Sequence, residues 1–245
     1  MINLQSSPQL QWPGQEKMAS GTAGGTPVAE TPDQQHTITL LRHGHAWNNM
    51  ISGFPCRDPI LTERGQSQAA AVRLSRAPDI IVVSPLTRTL ETANIAFGCL
   101  IRNPNGPSVP VQVWPDLREC GDKPFNQSRS RAQLEARYPF LDFSECSRSG
   151  LYENNERRGH RRARRVRRRL MELSQTYSHI VVVSHQGFIH RLNGGSGRYR
   201  NCECWSYRVG VDFSITEDGE LAPPTGSGGP TQVAAGEESE VDESS

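Results

Sequence analysis

The chain has 245 residues, a length sufficient to bury a substantial core and typical of one domain with extensions. Its 27 Lys and Arg residues nearly balance its 26 Asp and Glu residues, so the net charge of +1 argues against a nucleic acid or a membrane as the main partner. The absence of a long apolar stretch or a secretory signal, together with six scattered cysteines, predicts a soluble, cytoplasmic protein with reduced thiols.

Both ends of the chain are predicted to be disordered. Residues 1–36 are rich in Gly, Ser, Thr, Pro and Gln and show no apolar period. Such a segment cannot bury enough surface to offset the entropy of ordering. Residues 214–245 repeat this composition and finish in an acidic run. The ordered domain is therefore expected to span residues 37–213.

Between these ends, short β-branched runs alternate with helical patterns. The predicted strands are Thr37–Leu41, Asp79–Val83, Val109–Val113 and His179–Val183, with a closing strand near Cys202–Val211 that could lie antiparallel at the edge. The predicted helices are Glu63–Arg76 after the cap candidate Thr62, Leu86–Phe97 after Ser84 and Pro85, and Glu153–Tyr177. This alternation indicates a three-layer α/β/α sandwich with a largely parallel sheet. The irregular segment 103–155, where only Ala132–Arg137 has a helical pattern, is expected to form a small cap.

Arginines and histidines follow three of the predicted strands. The segments are Arg42-His43-Gly44-His45, Ser84-Pro85-Leu86-Thr87-Arg88 and Ser184-His185-Gln186-Gly187. In an open α/β sheet the ligand lies beyond the carboxyl ends of the strands, so these side chains are expected to converge. The planar fork of Arg matches phosphate oxygens, and imidazole can act as a nucleophile or a donor near neutral pH. The pattern therefore predicts a phosphate site.

Five sequence blocks resemble those of one known family. The blocks LRHGHAWNN, DPILTERGQSQA, SPLTRTLETA, DLRE and VVVSHQGF occur in the order found in the histidine phosphatase superfamily, the phosphoglycerate-mutase-like proteins. The resemblance spans Thr37 to Val211. The stretches RARRVRRRL and NCECWSY also resemble a fungal branch of that superfamily.

The resemblance implies a role for each of six residues. His43 would be the nucleophile, Arg42 and Arg88 would bind the phosphoryl oxygens, and His185 would donate a hydrogen bond to the same group. Glu119 would protonate the leaving oxygen and then activate water, while Asn48 would make a polar contact to phosphate. Three other carboxylates remain candidates for the acid, namely Glu91, Asp116 and Asp122. No metal and no other cofactor is expected, because two Arg and one His can supply the charge stabilisation that phosphoryl transfer needs.

These residues predict a phosphoric monoester hydrolase that acts on a phosphorylated small molecule. A phosphoglycerate-type mutase is the nearest enzymatic alternative. A recruited member of the superfamily that performs acid-base or isomerisation chemistry in a specialised biosynthetic pathway is another. His45 and Gln186 depart from the usual residues of the family beside the pocket, which leaves room for an altered substrate preference.

An arginine run between Arg157 and Arg169 invites a non-enzymatic alternative. It contains nine arginines, a density that could mark a module that binds an acidic partner or RNA. Val166 and Leu170 stand at helical spacing within it, which favours the solvated face of an amphipathic helix instead.

Overall fold

The computed structural model describes residues 36–51, 53–153, 155–195, 198–216, 219–223, 225 and 229–233. The N-terminal segment predicted to be disordered lies outside these residues apart from His36, and so does the acidic run after residue 233. Within the described part of the chain, no helix has both the length and the apolar composition needed to cross a membrane.

Six strands form a single sheet at the centre. They are β1 (Thr37–Arg42), β2 (Ile80–Val83), β3 (Val111–Val113), β4 (His179–Ser184), β5 (Cys204–Arg208) and β6 (Thr231–Val233). Their order across the sheet is β3-β2-β4-β1-β5-β6. The strands from β3 to β1 are parallel, whereas β5 runs antiparallel to β1 and β6 antiparallel to β5. The largely parallel sheet is thus confirmed, but β6 rather than β5 occupies the edge.

Helices cover both faces of this sheet. They are α1 (Trp47–Met50), α2 (Glu63–Ala70), α3 (Thr87–Ile101), α4 (Arg131–Arg137), α5 (Glu156–Leu173) and α6 (Gln186–Asn193). Residues of α2, α3 and α4 pack into one hydrophobic cluster, and residues of α5 and α6 pack into the other. The predicted three-layer sandwich is confirmed.

Alternate residues of each central strand serve the two clusters. In β1, Leu41 belongs to the cluster under α2 and α3, while Ile38 and Leu40 belong to the cluster under α5 and α6. Successive strand side chains point to opposite faces, so a strand buried on both faces reads as an unbroken apolar run. This packing explains why the strands were recognisable in the sequence.

The helix α3 begins later than the sequence predicts. Ser84 and Pro85 precede it, and the first helical residue is Thr87. The carboxylate of Asp58 accepts hydrogen bonds from the backbone N–H and the hydroxyl of Thr87, each at 2.7 Å. A carboxylate that binds the free N–H groups of a first turn stabilises the start of the helix. The capping group therefore comes from a residue distant in sequence.

The helix α2 ends earlier than predicted, at Ala70 instead of Arg76. Thr62 caps its start as expected, since its hydroxyl accepts a hydrogen bond from Gly65. At the other end, the guanidinium of Arg73 donates to the carbonyl oxygens of Ala70 and Val72 at 2.7 and 2.9 Å. A side chain that satisfies terminal carbonyls replaces the backbone donors of a further turn.

Part of the segment predicted as a disordered tail is ordered in the structure. Residues 231–233 form β6 on the open edge of β5, and Gln232 donates a hydrogen bond to the side chain of Glu203 at 2.7 Å. Glu220 forms ion pairs with Arg164 and Arg167 of α5. The prediction of disorder is therefore wrong for these residues, because three residues on an exposed sheet edge leave little trace in composition.

The arginine run of α5 is only partly a solvated face. Arg162 and Arg167 are each 3% exposed. Four of the more exposed arginines have acidic partners: Arg158 with Glu153, Arg164 with Glu220, Arg165 with Asp116 and Arg169 with Glu145. Much of the positive charge is thus balanced within the fold, which weakens the alternative of a nucleic-acid-binding module.

Candidate active site

Two buried histidines meet at the carboxyl ends of the parallel strands. His43 follows β1, and His185 follows the neighbouring strand β4. Their ring centroids are 5.1 Å apart, and the two residues are 3% and 0% exposed. The structure therefore brings together these two residues as the sequence predicts, at the edge of the sheet where ligands bind in this class of fold.

The protonation state of His43 follows from its surroundings. Its Nδ1 lies 2.7 Å from the carbonyl oxygen of Gly44, which can only accept a hydrogen bond. Burial, followed by the charges of Arg88 and Arg42, holds the pKa of His43 well below its ordinary value. The ring is therefore neutral with its proton on Nδ1, and Nε2 is unprotonated.

Arg88 faces this unprotonated nitrogen from the first turn of α3. Its Nε lies 3.3 Å from Nε2 of His43, and its other nitrogens donate to the carbonyl of Phe125 at 2.8 Å and to the side chain of Asn126 at 3.2 Å. Burial lowers the pKa of Arg88 to about 10, against the opposing effects of Asp58 and Glu119. At neutral pH the guanidinium therefore remains a fixed cation beside His43.

Arg42 and His185 each present a buried nitrogen that no described residue pairs. Arg42 donates to the carbonyl of Tyr199 at 2.6 Å, but its Nε has no hydrogen-bond partner among the described residues. His185 Nε2 lies 2.9 Å from the hydroxyl of Ser84, while its Nδ1 is likewise unpaired within the described part of the chain. Burial, with the charge of Arg88, also holds the pKa of His185 well below its ordinary value. Unpaired buried polar atoms are costly unless a ligand completes them.

Glu119 is held at the start of α6. Its two carboxylate oxygens accept hydrogen bonds from the backbone N–H of Cys120 at 2.7 Å and from that of Gly187 at 3.1 Å. Burial lowers the pKa of both Arg42 and Arg88, and the charge of Glu119 opposes that lowering at each of them, so the carboxylate lies in the same electrostatic environment. A Cβ atom at Gly187 would lie 2.7 Å from Glu119 Oε1, so the glycine permits this close approach.

The other candidate acids have different positions. Asp116 forms a two-pronged ion pair with Arg165, with both distances 2.8 Å. Glu91 accepts from the backbone of Leu61 and pairs with Arg137, and Asp122 is exposed. Glu119 is thus the carboxylate best placed for the site.

Asn48 lies on α1 and is half-buried, with no hydrogen-bond partner for its Oδ1 among the described residues. Its neighbour Asn49 accepts a hydrogen bond from the backbone of Ala46 at 3.0 Å. Asn201, which the sequence did not suggest, donates to the carbonyl of His43 at 3.0 Å. Only a contact between distant parts of the chain identifies Asn201, so local sequence carries no signal for it.

A glycine pair brings the loop that follows β1 against α2. A Cβ atom at Gly44 would lie 2.5 Å from the carbonyl oxygen of Gly65, and one at Gly65 would lie 1.9 Å from that of His45. The side chain of His45 turns to the cap residue Thr62, with Nδ1 at 2.9 Å from its hydroxyl. Glycine has no side chain and lets two backbone segments approach closely, so the presence of Gly44 and Gly65 in the two motifs is a sequence signal for this contact.

A cavity of about 370 Å³ lies beside α1. Asp58, which binds the first residue of α3, forms part of its wall. The remaining lining residues are Trp47, Phe54, Cys56, Arg57, Pro59, Ile60 and Arg129. In the described ranges, no three His, Cys, Asp or Glu side chains are arranged to hold a metal ion.

Comparison with known proteins gives a family match over most of the described chain. The family model of the histidine phosphatase superfamily (branch 1) matches residues 38–214. A Schizosaccharomyces pombe protein named as a probable phosphatase is 30% identical over 128 residues, which cover 49% of this chain and 58% of that protein. This chain thus spans little more than half the length of the yeast protein.

Two further proteins are similar to this chain. A phosphoglycerate mutase-like protein of Arabidopsis thaliana is 27% identical over 206 residues, which cover 66% of this chain and 75% of that protein. The crystal structure of the alpha-ribazole phosphatase from Shigella flexneri aligns with a TM-score of 0.49 and 21% identity, covering 81% of this chain and 95% of that one.

Proposed function

Because the chain belongs to the histidine phosphatase superfamily, we propose that it is a metal-independent phosphatase that hydrolyses a small-molecule phosphate monoester through a phosphohistidine at His43. The observation that carries the proposal is the position of the two ring nitrogens of His43. Its Nδ1 is engaged by the carbonyl of Gly44, and its Nε2 lone pair is directed toward the guanidinium of Arg88. A neutral imidazole with an unprotonated nitrogen beside a fixed cation is prepared to attack an anion.

The phosphoryl group binds through the donors around His43. Arg42 Nε and His185 Nδ1 are unpaired among the described residues, and Arg88 Nε exchanges its contact with His43 for a phosphate oxygen. The hydroxyl of Ser84 donates to Nε2 of His185, so that Nδ1 of that ring carries its proton toward the substrate. Two arginines and one histidine thereby spread over the oxygens on which charge develops.

In the first transfer, Nε2 of His43 attacks phosphorus in line with the bond to the leaving oxygen. The new N–P bond forms as that P–O bond breaks, and the leaving oxygen takes its proton from Glu119. The alcohol departs, and the phosphoryl group remains on His43. In this state the bond between Nδ1 and the Gly44 carbonyl keeps the ring oriented.

In the second transfer, water attacks the phosphoryl group while Glu119 removes its proton. The N–P bond breaks, inorganic phosphate is released, and Nε2 of His43 regains its lone pair. One carboxyl group can perform both steps because it is protonated for the first and ionised for the second.

The decisive experiment measures phosphate release with a chelator present. The panel comprises an aryl phosphate and representative sugar, glycerate, nucleotide and prenyl phosphates. We expect turnover that persists in chelator and is lost in His43→Ala, with retention in His160→Ala, whose histidine is exposed on α5. A radiolabelled ester should leave an acid-labile label on the wild type and none on His43→Ala. Absence of turnover across the panel, or a metal requirement, would refute the proposal.

A further inference from the structure

We propose that Arg162 of α5 is a positioning residue that fixes the segment carrying Glu119. The proposal rests on the proposed function, because it assigns Glu119 the role of proton donor and base. It also gives a purpose to one buried member of the arginine run, a motif that the site described above does not otherwise use.

The guanidinium of Arg162 donates hydrogen bonds to three residues of the segment that carries Glu119. Arg162 Nη1 donates to the carbonyl oxygens of Asp116 at 2.7 Å and Arg118 at 2.6 Å, and Nη2 donates to that of Glu119 at 3.3 Å. The residue is 3% exposed. Buried carbonyl groups held by a rigid, planar fork have little freedom to move, so the backbone at Glu119 is fixed in position.

The same side chain also contacts the element that holds the carboxylate. The guanidinium carbon of Arg162 lies 4.9 Å from the ring centroid of Phe188 in α6. The preceding residue, Gly187, donates its N–H to Glu119 Oε2. Arg162 therefore touches both the backbone of the acid and the helix that supplies one of its two amide donors. Its own helix is anchored by Ala163 and Val166 in the core cluster.

The chain has no regular secondary structure at Glu119 itself, although the hydroxyl of Ser184 donates to the carbonyl of Leu117 at 2.8 Å and Asn126 donates to that of Cys120 at 2.9 Å. A single 3₁₀ turn, Pro115–Leu117, precedes Glu119. A misplacement of about 1 Å at a catalytic group can lower a rate about 100-fold. Without Arg162, the segment would keep the ion pair of Asp116 with Arg165 but would lose the four hydrogen bonds that this guanidinium donates to it, the fourth being to the sulfur of Cys120.

The test compares two esters that differ in their need for an acid. An alkyl phosphate has a poor leaving group and needs proton donation, whereas a dinitrophenyl phosphate does not. We expect Arg162→Lys and Arg162→Met to lower the first transfer about 10- to 100-fold on the alkyl ester. On the dinitrophenyl ester, the rate of the first transfer should stay within about threefold of wild type, because this leaving group departs without a proton and the position of the acid is unimportant. The first transfer is measured by rapid quench of the alcohol released in one turnover.

Arg167 provides the matched control. It is also a buried arginine of α5, and it donates to the carbonyl oxygens of Gly219, Arg191 and Leu192, none of which belongs to the acid segment. Arg167→Lys should affect both esters equally. In a Glu119→Gln background, Arg162→Lys should cause no further loss, because residues that act through one group are not additive. Equal losses on both esters, or full additivity with Glu119→Gln, would overturn the proposal.

A second readout separates this inference from the proposed function. Amide hydrogen exchange at Cys120 and Gly187 reports the two hydrogen bonds to the Glu119 carboxylate without any turnover. Exchange at both amides should be faster in Arg162→Lys and unchanged in Arg167→Lys. The two variants are compared under conditions in which their free energies of unfolding are equal. Unchanged exchange in Arg162→Lys would overturn the positioning role even if the enzyme is active. If no ester is hydrolysed but this exchange pattern appears, the proposed function fails and the positioning role stands.

Discussion

The two sides of the site are held in different ways. The phosphate side, Arg42, His43, Arg88 and His185, consists of residues at the ends of parallel strands or in the first turn of a helix. The acid side, residues 115–120, lies in an irregular segment joined to α5 by side-chain contacts. On the first side, the register of neighbouring strands sets positions, since Arg42 of β1 pairs directly with Ser184 of β4.

This difference suggests which side tolerates substitution. Groups at the ends of parallel strands are positioned by the whole core, so a local change there is expected to remove a charge or a donor while the strands stay in place. Glu119 lies on an irregular segment held by individual side-chain contacts, among them those of Arg162 and Ser184, so altering one of these contacts is expected to move the carboxylate. Substitutions on the phosphate side should therefore weaken phosphate binding, whereas those on the acid side should slow proton transfer and leave phosphate binding intact.

The largest effect is expected on the phosphate side, for Arg88→Met. This change removes the cation beside His43 Nε2 and leaves the carbonyl of Phe125 and the Asn126 side chain without their donor. We expect kcat/KM to fall by about 10³-fold, the scale for losing a donor to developing charge. Competitive inhibition by inorganic phosphate should weaken in parallel. Arg88→Lys should fall between wild type and Arg88→Met, and a change below threefold would contradict this assignment.

On the acid side, Glu119→Gln should separate the two transfers. The amide keeps the size of the side chain but cannot supply a proton or act as a base. With an aryl phosphate, the first transfer should survive and the phosphohistidine should accumulate, while steady-state turnover falls about 100-fold. Inhibition by inorganic phosphate should remain within about threefold of wild type. If the phosphate constant instead changes as much as in Arg88→Met, the two sides of the site are not independent.

A smaller effect is expected for Gly187→Ala, which tests the contact that holds the Glu119 carboxylate in position rather than the carboxylate itself. The added methyl group would lie 2.7 Å from Glu119 Oε1 and must displace that carboxylate or its amide donor. We expect kcat to fall about 10-fold for an alkyl phosphate, by misplacement of the acid. Gly98→Ala is the control, because the nearest atom to its new methyl group is the flexible end of Arg102, 3.4 Å away. Full activity in Gly187→Ala would show that the contact is not required.

The same contrast explains what the sequence could predict. The strands and their order of alternation follow from apolar runs, and His43 and His185 could be placed together because the ends of parallel strands share one edge. The sequence places the start of α3 within one residue but does not identify the carboxylate that binds its first turn, because Asp58 lies in another motif. The contacts of Arg162 could not be predicted either, because the sequence of the arginine run does not distinguish its buried arginines from its solvated ones.

The free energy of unfolding should depend on pH through the two buried histidines, His43 and His185. Burial holds the pKa of His43 and His185 well below the ordinary value, whereas the same two histidines have a pKa of about 6.5 in the unfolded chain. Below that pH the unfolded state binds more protons than the folded state, so the free energy of unfolding falls as pH falls. Above pH about 6.5 both states are neutral at these rings, and their contribution is constant.

Urea unfolding at pH 7.5, 6.5 and 5.5 measures this slope. Each histidine should contribute a fall that approaches about 1.4 kcal/mol per pH unit once the pH lies well below 6.5. His185→Asn should remove one such contribution and flatten the curve, whereas His160→Asn, at an exposed position, should leave it unchanged. If His185→Asn leaves the slope of the wild type unchanged, the ring of His185 takes up its proton to the same extent in the folded and the unfolded protein. Burial would then not lower the pKa of this ring, and the proposed neutral state of His185 would be wrong.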